Sequence, residues 1–242
     1  MSIGRERAVS IVEAEGNQLI DGCEANPFAL VDACPGWTTT DLAIHTTSVH
    51  RRVAHWCTTR ATQPSQWPHS APDDPSTPWA WCREGLRALV VALQNIAPDE
   101  SVWSWTDQQN GAFYHRRMVH ETIIHRWDVQ TAGGLAQPIP EDLAVDGIDE
   151  LAAVGMRFRG NGSSIEYPDD SLAVVASDTG HRWTFAAVDG SLTVERGVAT
   201  DADGSISGPA QSLLLYLWGR RATDPLMLAN PDVASGWAAI AP

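Results

Sequence analysis

The sequence predicts an α+β protein in two parts, a four-helix bundle over residues 1–137 and a smaller α+β domain over 138–242. Three observations carry that prediction. Helix-period apolar patterns run through the first 135 residues, a Pro-Ile-Pro break follows at 138–140, and short β-rich runs bounded by turn residues lie beyond it. With 242 residues, 43% of them hydrophobic and 11 of them Trp, the chain has enough large apolar side chains to fill such cores.

Taken in order, Val9, Val12, Leu19 and Ile20 recur at roughly helical spacing and predict a helix over 3–24. In CPGWTTTDLAIH, Thr38 is placed to cap a helix, and Asp41 three residues later reaches back in a capping box, predicting a helix over 39–59. A stretch dense in Pro, Ser and Asp, residues 62–78, is a surface loop. Thr77-Pro78 then opens a third helix, with Pro at the first helical position, running to Ile96. The fourth helix covers 110–132 and stops at Gly133-Gly134. In the second part, a helix is expected over 141–158 and strands at LAVVAS from 172, RWTFAAV from 182 and SLTVERG from 191. A helix over 209–220, a short apolar run at 226 and a helix after Pro231 complete the chain.

The charge balance excludes several functions. There are 16 basic and 30 acidic residues, for a formal charge of −14, and every basic residue is Arg. No Schiff-base Lys, pyridoxal phosphate anchor or phosphate-loop Lys is available. So acidic a chain is unsuited to general nucleic-acid binding. It has no apolar run long enough to span a bilayer, and its N-terminus mixes acids into its apolar positions, unlike a secretory signal, so a cytoplasmic protein is expected. Cys23, Cys34, Cys57 and Cys82 form no C-x-x-C pair and are expected as mostly buried, reduced thiols.

Chemistry points to the histidines. Six of the eight fall in two clusters at five-residue steps: His45, His50 and His55, then His115, His120 and His125. Five residues turn a helix through about 500°, so successive rings diverge by about 140° and neither cluster converges by itself. Glu121 and His125, four apart, do share a face and are able to chelate one ion. His120 and Glu121 imitate the start of a metalloprotease H-E-x-x-H, but the step from His120 to His125 is one residue too long. A third ligand must then come from another helix. His45 is the best candidate, since it opens a stripe with Val49, Arg52 and Trp56. Glu-x-x-x-His is also a common accident on solvated helices, so spacing by itself leaves both readings open.

The stretches CPGWTTTDLAIHTTSVHR and RRMVHETIIHRWDVQTAGG resemble the mycothiol-dependent maleylpyruvate isomerase family, whose N-terminal half is a DinB-like metal-binding four-helix bundle. DGIDELAAVG, SDTGHRWTF and ISGPAQSLLLYLWGRR resemble that family's C-terminal domain. The resemblance implies a metal site in which the His of W-T-x-x-D-L-x-x-H is His45, and the Glu and His of E-x-x-x-H are Glu121 and His125. The same three residues would be catalytic through the metal. It also implies an Arg reaching the cleft from the C-terminal domain, best matched by Arg220, with Arg221 in reserve. Arg52 and Trp56 are further candidates for binding the substrate or thiol, and Asp128 for orienting a ligand from behind. Trp127 is a candidate pocket wall, and His50, His55, His115 and His120 are expected to be structural or exposed.

The implied chemistry is metal-dependent activation of a low-molecular-weight thiol, mycothiol, for attack on an electrophilic small molecule, as a cis-trans isomerase or S-transferase. The implied cofactors are a divalent metal, Zn2+ first, and mycothiol. Two His and a Glu would also accept nickel, cobalt or iron. No nucleic-acid or membrane partner is expected. Two readings compete, a metal-dependent hydrolase using bound water and a non-enzymatic metal-binding or small-molecule-binding protein.

Overall fold

The computed structural model describes residues 3–64, 71–158, 164–197 and 201–240, and the chain divides into two compact units, Met1–Gln137 and Pro138–Pro242. The first is built from α1 (Arg5–Ala25), α2 (Thr39–Thr59), α3 (Trp79–Asn95) and α4 (Gly111–Ala132). α1 packs against each of the other three, and α2 lies against both α3 and α4.

Burial follows the sequence periodicity. α1 buries Ala8, Val9, Val12, Gly16, Leu19, Ile20 and Cys23 at steps of one, three and four. α4 differs, because Tyr114, Met118, Val119, Ile123 and Ile124 are buried around most of its circumference, as for a helix enclosed by partners. Arg126, only 1% exposed, ties it to α1: Nε donates to Glu15 Oε2 at 2.6 Å, and Nη1 donates to Gln137 O at 2.7 Å.

Helix ends are set locally. Thr38 and Asp41 form the capping box: Thr38 N donates to Asp41 Oδ2 at 2.8 Å, and Asp41 N donates to Thr38 Oγ1 at 3.3 Å. The expected start of α3 shifts by one residue: Pro78 is itself the cap, without a side-chain acceptor, and its carbonyl accepts from Cys82 N at 2.9 Å. In the expected loop, residues 62–64 and 71–77 are non-helical, while 65–70 lie outside the described residues. α4 ends as Gly134 turns to φ +73° and Leu135 N donates back to Gln130 O at 2.8 Å. Cys23, Cys57 and Cys82 are buried, as expected of most of the thiols, while Cys34 is partly exposed in the turn before α2.

The second unit runs α5 (Glu141–Glu150), a π-helical turn (Leu151–Gly155), β1 (Leu172–Ala176), β2 (Arg182–Val188), β3 (Ser191–Arg196), β4 (Gly204–Gly208), α6 (Ala210–Leu217), β5 (Met227–Ala229) and α7 (Pro231–Ala238). The sheet order is β3-β2-β1-β4-β5; β1 and β4 are parallel and the other neighbours antiparallel. The expected helix over 141–158 loses its α register at Glu150 and widens, so that Met156 N bonds Leu151 O, five residues back, at 2.8 Å. The helix expected over 209–220 ends at Leu217, because Gly219 at φ +71° lets Arg220 N reach Leu215 O at 2.8 Å. Strand β4 was not expected, since Gly-Ser-Ile-Ser-Gly has little strand propensity; it is recruited by pairing with β1 from Leu172↔Gly204 to Ala176↔Gly208. Trp183, Phe185 and Trp237 fill the core of this unit.

Among the described residues, no helix is long and apolar enough to cross a membrane.

Candidate metal centre

The capping box fixes where α2 begins, and hydrogen bonds from Thr39 Oγ1 to Asn26 O and from Thr40 Oγ1 to Pro27 O (2.6 Å) anchor that end to the segment after α1. Seven residues past the cap, His45 projects toward α4, where Glu121 and His125 sit one helical turn apart. Trp37 packs on the His45 ring with centroids 5.0 Å apart, and the His45 and His125 rings meet edge to face at 5.5 Å.

The donors converge. Glu121 Oε1 lies 3.5 Å from His125 Nε2 and 4.0 Å from His45 Nε2, and a set of one ligand atom from each residue lies within 4.8 Å of one another. Tetrahedral bonds of about 2.0–2.1 Å separate neighbouring donors by about 3.3 Å, so modest closure suffices for joint coordination. His45 is half-exposed, which leaves the site open on one side, whereas Glu121 and His125 are largely covered.

The electrostatics suit a cation site. Burial pushes the Glu121 carboxyl upward, but the Arg117 guanidinium and the His125 hydrogen bond more than offset it, holding it well below the usual carboxylate range. For His125, burial opposes the charge, yet Asp128 and Glu121 prevail and raise the imidazole to about 9. Asp128 Oδ2 sits 3.1 Å from Nδ1, so the ring bonds a carboxylate behind it and aims Nε2 at the site. His45 is shifted downward, chiefly by burial.

The other candidates divide. Arg52 lies over Trp56, its guanidinium carbon 5.5 Å from the ring, and the buried Arg52 Nε and Trp56 Nε1 have no hydrogen-bond partner among the described residues. Trp127 is buried at 7% exposure. Arg220 belongs to the second unit, where Nη1 donates to Trp218 O at 2.7 Å. His50, His115 and His120 are core residues, and His55 is partly exposed. His50 Nε2 pairs with Thr122 Oγ1 at 3.1 Å, and burial lowers its imidazole to about 4.

One partner escaped the sequence reading. Arg117 Nη2 donates to Glu121 Oε2, and the clue was the i,i+4 step that also links Glu121 to His125. The thiols are no rivals as nucleophiles, because burial raises Cys23, Cys57 and Cys82, with Cys57 pushed up to about 12.

Comparison with known proteins gives the same neighbourhood twice. The family described as the mycothiol maleylpyruvate isomerase N-terminal domain matches residues 15–130. No curated protein matches the sequence. Among solved structures, the mycothiol-dependent maleylpyruvate isomerase is similar at TM-score 0.62 and 16% identity, over 93% of each chain. A histidine-to-alanine mutant of a mycothiol-dependent maleylpyruvate isomerase is similar at 0.63 and 14%, again over 93% of both chains. Likeness at such identity speaks to fold, and the domain match speaks to family. Residues 15–130 are thus similar to the N-terminal domain of the mycothiol maleylpyruvate isomerase family, and the chain shares the fold of the solved isomerase across 93% of its length.

Proposed function

We propose that the protein is a metal-dependent enzyme that activates mycothiol for attack on an electrophilic small molecule, as a cis-trans isomerase or an S-transferase. The observation that carries this reading is the convergence of two imidazoles and one carboxylate, from two helices, within 4.8 Å. His45, Glu121 and His125 would hold the ion, expected to be Zn2+, and three protein donors leave a tetrahedral position for the cosubstrate. When bound, the metal supplies a Lewis acid that stabilises the thiolate at neutral pH.

The remaining work falls to the chain's own groups. Asp128 holds the His125 ring by its Nδ1, fixing the nitrogen offered to the site. Arg52 Nε and Trp56 Nε1, with no partner among the described residues, supply hydrogen-bond donors for an anionic group of the substrate or thiol. Electrophile and thiol are thereby oriented before they react.

The test is to load the protein with Co2+ and add mycothiol. A sulfur-to-cobalt charge-transfer band, absent from His45→Ala, is the expected result; an unperturbed cobalt spectrum would overturn the thiol reading. Unchanged metal content in His45→Ala would remove the site. Mass spectrometry of products from a cis-configured conjugated acid then separates isomerase, with mass unchanged, from transferase, with mycothiol added.

A further inference from the structure

We propose that Arg117 is a positioning residue of this site: it keeps Glu121 a one-oxygen ligand and so preserves the vacancy the thiol needs. The inference rests on the metal reading above and goes beyond it. Arg117 and Glu121 lie one turn apart on α4, with side chains only 11% and 12% exposed. The carboxylate is divided between two tasks. Oε2 accepts from Arg117 Nη2, while Oε1 faces the imidazole nitrogens of His125 and His45.

That division has a coordination consequence. A carboxylate with both oxygens free readily grips a cation with two bonds, and with two imidazoles this would make four protein donors and close a tetrahedral shell. With Oε2 engaged by the guanidinium, the protein supplies three. Charge acts in the same direction. A fixed positive charge beside Glu121 offsets the carboxylate's donation, leaving the ion a stronger Lewis acid toward sulfur. An i,i+4 ion pair on a solvated helix would need no such explanation, but this pair is mostly covered and shares its carboxylate with the candidate ligands.

The experiment uses the full chain loaded with Zn2+ or Co2+, comparing wild type, Arg117→Met and Arg117→Lys. With a nearby positive charge gone and the second oxygen released, Arg117→Met should bind Zn2+ at least about tenfold tighter. X-ray absorption should show a second carboxylate oxygen in the place of solvent, and the cobalt bands should lose the sulfur-to-cobalt component that added mycothiol gives in wild type, because no position is left for the thiol. Arg117→Lys, which keeps charge and donor, should return affinity to within about threefold of wild type. A role confined to helix stability predicts the reverse pattern, with weaker binding in Arg117→Met and unaltered cobalt bands, and that result overturns the proposal. Should Arg117→Met not fold, Arg117→Gln serves, and wild-type affinity with unaltered bands in it is equally fatal. Wild type that takes up no metal defeats the parent reading instead, so the two failures are distinguishable.

Discussion

Replacing Asp128 by Asn tests the electrostatics of the centre most directly, because it leaves size and hydrogen-bonding capacity nearly intact while removing one charge. Asp128 is 3% exposed, with Oδ2 3.1 Å from His125 Nδ1. Together with Glu121 it raises His125 from 6.5 to about 9 against burial, a stabilisation of the imidazolium of about 3 kcal/mol. Metal and proton compete for that ring. At pH 7 the proton therefore costs wild-type metal affinity about a hundredfold, and at pH 9 only about twofold. Asn should bring His125 back toward its ordinary value and remove most of that competition. It also weakens the ring as a ligand, at a cost of about 10- to 100-fold in intrinsic affinity. The two effects oppose each other near neutrality. Zn2+ affinity measured by chelator competition should thus be within about tenfold for the two proteins at pH 7, with the wild-type advantage opening to about 10- to 100-fold at pH 9. A ratio that stays constant from pH 7 to 9 would refute the reasoning.

Three other outcomes follow from the packing. His50 is held neutral at about 4, below the unfolded value of 6.5, so its contribution is full above pH 6.5 and is lost as pH falls toward 4. Urea unfolding of metal-free protein at pH 7 and 4.5 should lose about 2–3 kcal/mol more in wild type than in His50→Gln; equal losses would contradict this. Arg126→Met leaves Glu15 without its buried guanidinium and frees Gln137 O, and should destabilise by about 3 kcal/mol, whereas a change below about 1 would show that the anchor between α1 and α4 matters little. At Gly111, an added Cβ would stand 2.2 Å from the backbone oxygen of Ala97, so Gly111→Ala should cost about 2–3 kcal/mol by thermal unfolding; a neutral result would mean the loop before α4 yields freely.

Helix ends illustrate how much was legible locally. The α2 capping box could be read from Thr38 and Asp41, because both partners lie within one turn of chain. The ends of α5 and α6 were less legible. At α5 the α register gives way to a π turn after Glu150, and at α6 the left-handed Gly219 closes the helix three residues early. Strand β4 was invisible because its Gly-Ser-Ile-Ser-Gly carries no strand preference of its own and is ordered by β1.

The candidate site divides in the same way. Glu121 and His125 were accessible from sequence because a helix turns a four-residue step into proximity, and His45 could be nominated from its stripe and from family likeness. What only the folded chain decided was that the His45 imidazole and the α4 pair meet, that Asp128 stands behind His125, and that Arg117 engages the other oxygen of Glu121. Periodicity constrains directions within one helix. Distances between helices depend on the packing of the whole bundle, where α4 is enclosed by its partners, and no short stretch of sequence encodes that.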